Sequence, residues 1–350
     1  MHRRKLTLVL FLVTVLLLVI AGCGGQETQG NSETTGQGQE QTSSPLASEG
    51  RKALKIATCA TGGGYYLQGG SIANIIDKYV PGYSGSAFPT ACQVENIRLM
   101  AEGKADISLQ MVEAAYKSYR GEETETWVSN PKLRTMLMGG DFYMNIVAKA
   151  GSGIKSIADI KGKRVGLTPG GGGAFGIFQN VLKAYGMTLD DVKASPLSVS
   201  EQVEALKDGD IDVLVNVAGG KSGPAPALVD LSTTHDVYWI PIDKDNAQEL
   251  QKMVPYYFGV EVAPGFYSDI TEPTLVLAVG SGVFISADVD EEAVYQITKA
   301  IWEHKPELEQ IYNMWKIITL ENAAKNVPAP LHPGAKRYYE QKGVTISEMP

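Results

Sequence analysis

The sequence contains few of the residues that build metal sites or disulfide scaffolds. Among its 350 residues there are three cysteines and four histidines, and no Cys-x-x-Cys or paired Cys/His spacing occurs. A disulfide-rich fold and a structural metal are therefore excluded, and no metal or cofactor is expected. A Gly-x-Ser-x-Gly nucleophile elbow is also missing. Because the histidines lie in polar or turn-rich surroundings, we expect a protein that is not an enzyme.

Basic residues are also in the minority. The chain has 31 Lys and Arg against 39 Asp and Glu, a net charge of −8. Nucleic-acid binding needs clustered positive charge to displace counterions, so no nucleic-acid partner is expected. The hydrophobic fraction of 44 % is high enough for a buried core and excludes wholesale disorder. The length corresponds to roughly one large or two medium domains.

The N-terminus is the part of the chain with a long apolar run. A basic segment at residues 2–5 precedes residues 6–21, which are apolar apart from Thr7 and Thr14. This pattern is typical of a secretion signal, although a retained membrane anchor of similar length is the alternative. Small residues followed by Cys23 resemble the lipobox of bacterial lipoproteins. We therefore interpret residues 1–22 as a lipoprotein signal peptide and Cys23 as the lipidated residue.

Residues 23–50 have the composition of a flexible tether. Residues 24–50 are rich in Gln, Gly, Ser, Thr and Glu and contain no Lys or Arg. Such a segment cannot bury enough apolar surface to offset the entropy lost on ordering. An anchored tether predicts an extracytoplasmic body, attached by lipid to the bacterial cell membrane.

The body from residue 51 onwards alternates strand and helix patterns. Predicted strands are residues 54–57, 106–110, 133–138, 164–167, 212–217 and 237–240, and predicted helices are residues 65–79, 94–101, 176–184, 201–207, 291–301 and 307–318. This alternation predicts an α/β fold with parallel sheets that carry helices on both faces.

A short pattern occurs twice, about a hundred residues apart. Gly103 ends a helical segment and Asp106 opens a strand, and Gly209 and Asp212 repeat this arrangement. Either α/β folds simply reuse such turns, or the body consists of two similar lobes. In the second case, each lobe presents a glycine-rich turn at the carboxyl edge of its sheet, where ligands bind in open α/β folds.

The two glycine-rich turns lie at residues 61–64 and 169–173. A strand that enters a helix through glycines leaves the first backbone N–H groups of that helix unpaired. These donors and the positive end of the helix dipole attract anions. Two such turns facing each other would hold a small carboxylate. Tyr65 and Tyr66 follow the first turn, and one could contact ligand while the other packs in the core.

Two nucleotide motifs are only partly present. Residues 171–176 read Gly-x-Gly-x-x-Gly, but the acidic residues that follow lie in a polar turn, and an exported protein has no ready nicotinamide supply. Residues 218–222 resemble the end of a P-loop, but Val215 replaces the required earlier glycine. Neither motif leads us to expect a nucleotide.

Cys59 and Cys92 each fall at or just after the end of a predicted strand. In an exported protein they could form a disulfide. The alternative is two free thiols, one of which could line the pocket.

The body resembles the solute receptors of the TAXI subgroup of TRAP transporters (tripartite ATP-independent periplasmic transporters). The resemblance is carried by ordered motifs at residues 56–58, 61–69, 94–99, 103–107, 157–165, 216–220, 264–267, 330–335 and 338–339. It implies a type II periplasmic-binding-protein-like fold with two mixed or parallel sheets and a hinge of crossing strands. It also implies a monomeric receptor that delivers its ligand to a TRAP-type membrane permease.

From this resemblance we expect lobe I at residues 51–140 plus 265–350 and lobe II at residues 141–264. The ligand would be a small carboxylate, either a glutamate-like amino acid or a dicarboxylate. The pocket departs from the family pattern, with Gly64 and Ala174 in place of threonine and Gln93 in place of serine. Expected ligand-binding residues are Thr61, Gly62, Gly63, Gly64, Tyr65, Tyr66, Gln93, Gln110, Thr168, Gly171, Gly172, Gly173 and Asn216. A sensor of the same fold and an exported enzyme are the alternatives.

Overall fold

The computed structural model describes residues 50–61, 63–122, 128–169 and 173–350. The signal peptide, the lipidation site at Cys23 and almost all of the tether lie outside the described residues, as do Gly62, Gly171 and Gly172. Within those ranges, no helix combines the length and apolar character needed to span a bilayer. The same ranges hold no group of His, Cys, Asp and Glu side chains suited to a metal ion.

Ten strands and eleven α-helices make up the described body. The strands are β1 (Lys52–Ala57), β2 (Tyr83–Phe88), β3 (Ile107–Met111), β4 (Leu133–Lys149), β5 (Arg164–Leu167), β6 (Lys193–Pro196), β7 (Val213–Val217), β8 (Val237–Trp239), β9 (Tyr257–Val262) and β10 (Thr274–Ser286). The helices are α1 (Gly64–Tyr79), α2 (Gln93–Ala101), α3 (Val112–Tyr119), α4 (Gly173–Ala184), α5 (Val199–Asp208), α6 (Pro226–Thr234), α7 (Lys244–Met253), α8 (Glu291–Glu303), α9 (Lys305–Ile311), α10 (Met314–Ile317) and α11 (Pro333–Gln341).

The strands form two mixed sheets, which confirms the α/β prediction. The first sheet has the order β2-β1-β3-β10-β4, and the second has the order β4-β7-β5-β6. In both sheets the three strands joined by helical crossovers are parallel, whereas β4 and β10 run antiparallel to their neighbours. The long strand β4 belongs to both sheets and joins them into one hydrogen-bonded path.

The repeated sequence pattern has the same structural role in both sheets. Gly103 and Gly209 end α2 and α5 with positive φ angles of 67° and 82°, a conformation that glycine adopts without steric penalty. The carboxylates of Asp106 and Asp212 then accept the backbone N–H groups of Lys55 and Arg164, each at 2.8 Å. The parallel strands are accordingly arranged β2-β1-β3 and β6-β5-β7. The sequence repeat thus reflects two similar units.

The hydrophobic core is continuous across both sheets. Its largest cluster of buried side chains includes Ile56 and Leu109 from the first sheet and Val165 and Val215 from the second. The described residues from 50 to 350 accordingly belong to one compact unit. The lobe boundaries given above remain a prediction.

His332 has a structural role at the start of α11. Its Nδ1 accepts the Gly334 N–H at 3.3 Å, and its Nε2 lies 3.0 Å from the Val289 carbonyl oxygen. The ring is 2 % exposed, and this burial lowers the pKa of His332 below its ordinary value. The folded state therefore favours the neutral imidazole.

This burial predicts an acid-sensitive contribution to stability. Because the unfolded chain takes up the proton more readily, the free energy of unfolding should fall as the pH drops below about 6.5. His332→Asn keeps a good N-cap residue without a titratable ring. Urea unfolding at pH 7 and pH 5 should show a smaller acid-dependent loss for this variant. An equal loss in both proteins would contradict the assignment.

Candidate functional site

A cavity of about 290 Å³ lies at the carboxyl ends of the parallel strands of both sheets. Its wall includes six of the residues expected from the sequence, namely Gly63, Gly64, Tyr65, Gln93, Thr168 and Gly173. Gly63 and Gly64 follow β1, whereas Thr168 and Gly173 follow β5. The described glycines of both turns, Gly63, Gly64 and Gly173, therefore lie at one cavity.

Two expected residues lie on the wrong face of their strands to line this cavity. Side chains alternate along a strand, and Met111 of β3 and Val217 of β7 occupy the cavity wall. Gln110 and Asn216, one position earlier, therefore point to the opposite faces. Asn216 is fully buried, and its amide group bonds to Asn145 and to Gln202.

The other expected residues divide between the surface and the undescribed turns. Thr61 is exposed and Tyr66 is half-buried, and neither lines the cavity. Gly62, Gly171 and Gly172 lie outside the described residues. Their role in ligand binding stays a prediction.

Three helices start at the cavity, and the N-termini of α1 and α2 have no side-chain cap. The first hydrogen bond of α1 runs from the Leu67 N–H to the Gly63 carbonyl oxygen, so three N–H groups before it have no acceptor within the helix. The same holds for α2, where the Asn96 N–H bonds to the Cys92 carbonyl oxygen. The third helix, α4, starts at Gly173. Such ends combine free donors with a positive dipole and favour anions.

A buried polar network fixes the start of α2. The Asn96 amide donates to the carbonyl oxygens of Thr58 at 2.7 Å and Leu109 at 3.0 Å. The Thr90 hydroxyl accepts the Cys92 N–H at 3.0 Å. These bonds join the ends of β1 and β3 to the loop before α2, so the N–H groups of α2 are held in a defined position.

The structure joins Cys59 and Cys92 in a disulfide, with their Cα atoms 4.3 Å apart. Both cysteines lie on the cavity wall. Cys92 has a φ of 78° and a ψ of −146°, a backbone region that side chains rarely adopt. The bond therefore ties the turn after β1 to a strained residue at the start of α2.

Two buried hydroxyl groups in the described cavity wall have no hydrogen-bond partner. Among the described residues, the Tyr65 and Thr168 hydroxyls make no hydrogen bond. The Ser281 hydroxyl lies near Tyr65 but donates its own proton to the Gly140 carbonyl oxygen. Burial raises the pKa of Tyr65 and, to a lesser extent, that of Tyr312. Both phenols are therefore neutral.

No charged side chain belongs to the described cavity wall. The Gln93 Oε1 accepts the Met111 N–H at 3.0 Å, which leaves the Gln93 amide nitrogen directed towards α4. Apolar surface comes from Met111, Phe142 and Val217, and the rings of Tyr65 and Phe142 pack edge to face at 5.6 Å. The site is thus an apolar cavity with neutral donors at its rim.

Phe142 and Tyr312 are wall residues that the sequence did not indicate. Phe142 belongs to the long strand β4, and Tyr312 follows α9, far from the glycine turns in sequence. A Cβ atom on Gly64 would overlap the Tyr312 hydroxyl oxygen. The contact explains why the helix start at residue 64 lacks a side chain, although no local pattern reveals it.

A larger cavity of about 380 Å³ lies near the crossing of β4 and β10. Its charged residues include the exposed Lys221 and the half-buried Lys325, and Lys325 already pairs with Glu321 at 2.9 Å. None of its described wall residues carries a buried side-chain polar atom without a partner. We therefore assign the functional site to the smaller cavity.

Comparison with solved structures finds distant similarity. The periplasmic aliphatic sulphonate binding protein SsuA from Escherichia coli is 12 % identical, with 83 % of each chain covered and a TM-score of 0.45. A TctC solute binding protein from Polaromonas is also 12 % identical, covering 83 % of this chain and 98 % of its own, with a TM-score of 0.47. An ancestral arginine-binding protein is 20 % identical, covering 76 % and 99 %, with a TM-score of 0.42.

The comparison with family models finds a match over most of the chain. The model described as the NMT1-like family matches residues 56–343. This range contains both sheets except for the first residues of β1, and it includes every described residue of the cavity wall. The chain therefore belongs to the NMT1-like family.

Proposed function

We propose that this protein is the extracytoplasmic solute receptor of a TRAP-type secondary transporter of the TAXI group. It captures a small carboxylate, an amino acid of the glutamate type or a dicarboxylate, and delivers it to a membrane permease. Its role is binding, with no catalysis and no cofactor. The protein acts as a monomer that is held at the membrane by a lipid on Cys23.

One observation carries this proposal, the convergence of uncapped helix starts on a cavity without charged side chains. The free N–H groups at the starts of α1 and α2 offer a carboxylate several donors, and α4 also starts at the cavity wall, with Gly173. Such charge-assisted bonds are roughly twice as strong as neutral ones. The unpartnered Tyr65 and Thr168 hydroxyls would complete the site as neutral donors.

Capture requires the cavity to open and close. We assign residues 51–140 and 265–350 to one lobe and residues 141–264 to the other. Strands β4 and β10 cross between them, and their pairing is irregular between Gly280 and Gly282. A ligand that contacts both lobes binds the closed state more tightly and therefore shifts the population towards it.

Thermal unfolding with a ligand panel tests this function. At a concentration of about 100 Kd, a true ligand should raise the melting temperature by about 5 °C. The panel comprises dicarboxylates and acidic amino acids. The controls are the same compounds with every carboxylate converted to an amide, because these lack the negative charge. Stabilisation by acids but not by amides is expected. No shift with any acid at about 10 mM would contradict a carboxylate receptor.

A further inference from the structure

The charge and polarity of the cavity wall also restrict the part of the ligand that does not carry the carboxylate. An α-amino acid carries an ammonium group that is charged at neutral pH, and this group loses its hydration on burial. Burying such an ion without a counter-charge costs several kcal/mol. A receptor for amino acids therefore needs a carboxylate, or a dense set of acceptors, within reach of the ammonium.

The described wall has no such counter-charge. It contains no Asp or Glu, and the neighbouring undescribed positions, Gly62 and residues 170–172, are all glycine and add no side chain. The Gln93 Oε1 is already engaged by the Met111 N–H. The remaining side-chain acceptors are neutral hydroxyl oxygens.

Glu113 is the acid that follows Met111 along the chain, and it does not serve the cavity. Its carboxylate lies against Gly176, one turn into α4, and it pairs with Lys117 at 2.9 Å. Glu113 is not part of the cavity wall. Burial also raises the pKa of Glu113, which disfavours its charged form.

The helix starts themselves oppose an ammonium group. The ends of α1, α2 and α4 carry the positive poles of their dipoles, so the field that attracts a carboxylate repels a cation in the same small space. A volume of 290 Å³ corresponds to about ten water-sized groups. Because the ammonium and the carboxylate of an α-amino acid are bonded to the same carbon, the ammonium cannot avoid these ends in a cavity of this size.

The rest of the wall suits a hydrocarbon body. Met111, Phe142 and Val217 offer no polar group, and the Tyr65 ring packs against Phe142. We infer that the ligand is a small organic acid with a hydrocarbon body and no amino group, so glutamate-like amino acids are excluded. This inference rests on the proposed function, because it concerns the same cavity.

Matched pairs of compounds that differ only in the ammonium group test the inference. Isothermal titration calorimetry would compare glutarate with glutamate and 4-methylpentanoate with leucine. In the pair that binds, the dissociation constant of the acid without the amino group should be at least about tenfold lower than that of the amino acid. An amino acid that binds as tightly as its partner, or more tightly, would overturn the inference and leave the receptor function intact. If none of the four compounds binds at about 10 mM, the proposed function fails as well.

The variant Gln93→Glu supplies the missing counter-charge without a change in shape. The new carboxylate can still accept the Met111 N–H, and its second oxygen replaces the amide nitrogen that faces Gly173. We expect the acid without an amino group to bind about tenfold more weakly. The ratio of the two affinities within a pair should therefore shift towards the amino acid. Glu113→Gln is the control, because it removes an acid outside the wall and should leave the preference unchanged. An unchanged preference in Gln93→Glu, or a changed one in the control, would contradict the inference.

Discussion

Gly64→Ala is expected to lower ligand affinity at least about a hundredfold while the protein stays folded. A Cβ atom on residue 64 would overlap the Tyr312 hydroxyl oxygen and lie 2.7 Å from the Tyr312 Cζ. The tyrosine ring must therefore move, and because Tyr312 lines the cavity its displacement deforms the binding wall. The same Cβ stands at the first residue of α1, where the ligand approaches the free N–H groups.

Gly70→Ala is the matched control for this experiment. Gly70 lies in the same helix, and a Cβ atom added there would meet no atom of another element within 4 Å, so alanine should preserve binding. It should also stabilise the helix slightly, by about 0.5–1 kcal/mol. Calorimetric titration of the ligand identified by thermal unfolding provides the measurement. Wild-type affinity in Gly64→Ala would show that Tyr312 does not shape the site.

Removing the disulfide is expected to lower the free energy of unfolding by about 3–4 kcal/mol. The bond closes a loop between cysteines 33 positions apart, and its loss frees the unfolded chain from that constraint. Ligand affinity should fall as well, because Cys92 holds an unfavourable backbone conformation next to the N–H groups of α2. Without the disulfide, residue 92 is released, and the loop before α2 can relax away from the geometry that positions these N–H donors.

Urea unfolding of the protein with and without a thiol reductant measures the effect on stability. The double variant Cys59→Ala/Cys92→Ala should match the reduced wild-type protein and should not respond to reductant. An oxidised and a reduced protein of equal stability would contradict the expected role of the bond. Titration of the ligand under both conditions then separates the stability effect from the effect on binding.

Two expected ligand contacts, Gln110 and Asn216, do not line the cavity, and both cases have the same physical origin. The family resemblance places both residues in motifs near the ends of strands, but a motif does not show to which face of the sheet a side chain points. Which face of a strand points to a cavity depends on the layers packed above and below it, and a shift by one residue reverses the face. In both sheets the wall is formed instead by the next residue, Met111 or Val217.

The features that could be predicted are those that depend on local chemistry. The two Gly-x-x-Asp patterns have a local structural cause, and both appear in the structure. Tyr312 could not be found in this way. It reaches the cavity from the segment after α9, and only the complete fold brings that segment to the start of α1.

The long strands β4 and β10 have a consequence for how this polypeptide could be divided. Strand β4 pairs with β10 over its first part and with β7 over its second, and β10 in turn pairs with β3, β4 and β9. No single cut in the chain would therefore release two self-sufficient pieces. Each fragment would retain an incomplete sheet with open edges, which are prone to aggregate. Circular permutation, which keeps both strands, is the more suitable way to relocate the termini of this protein.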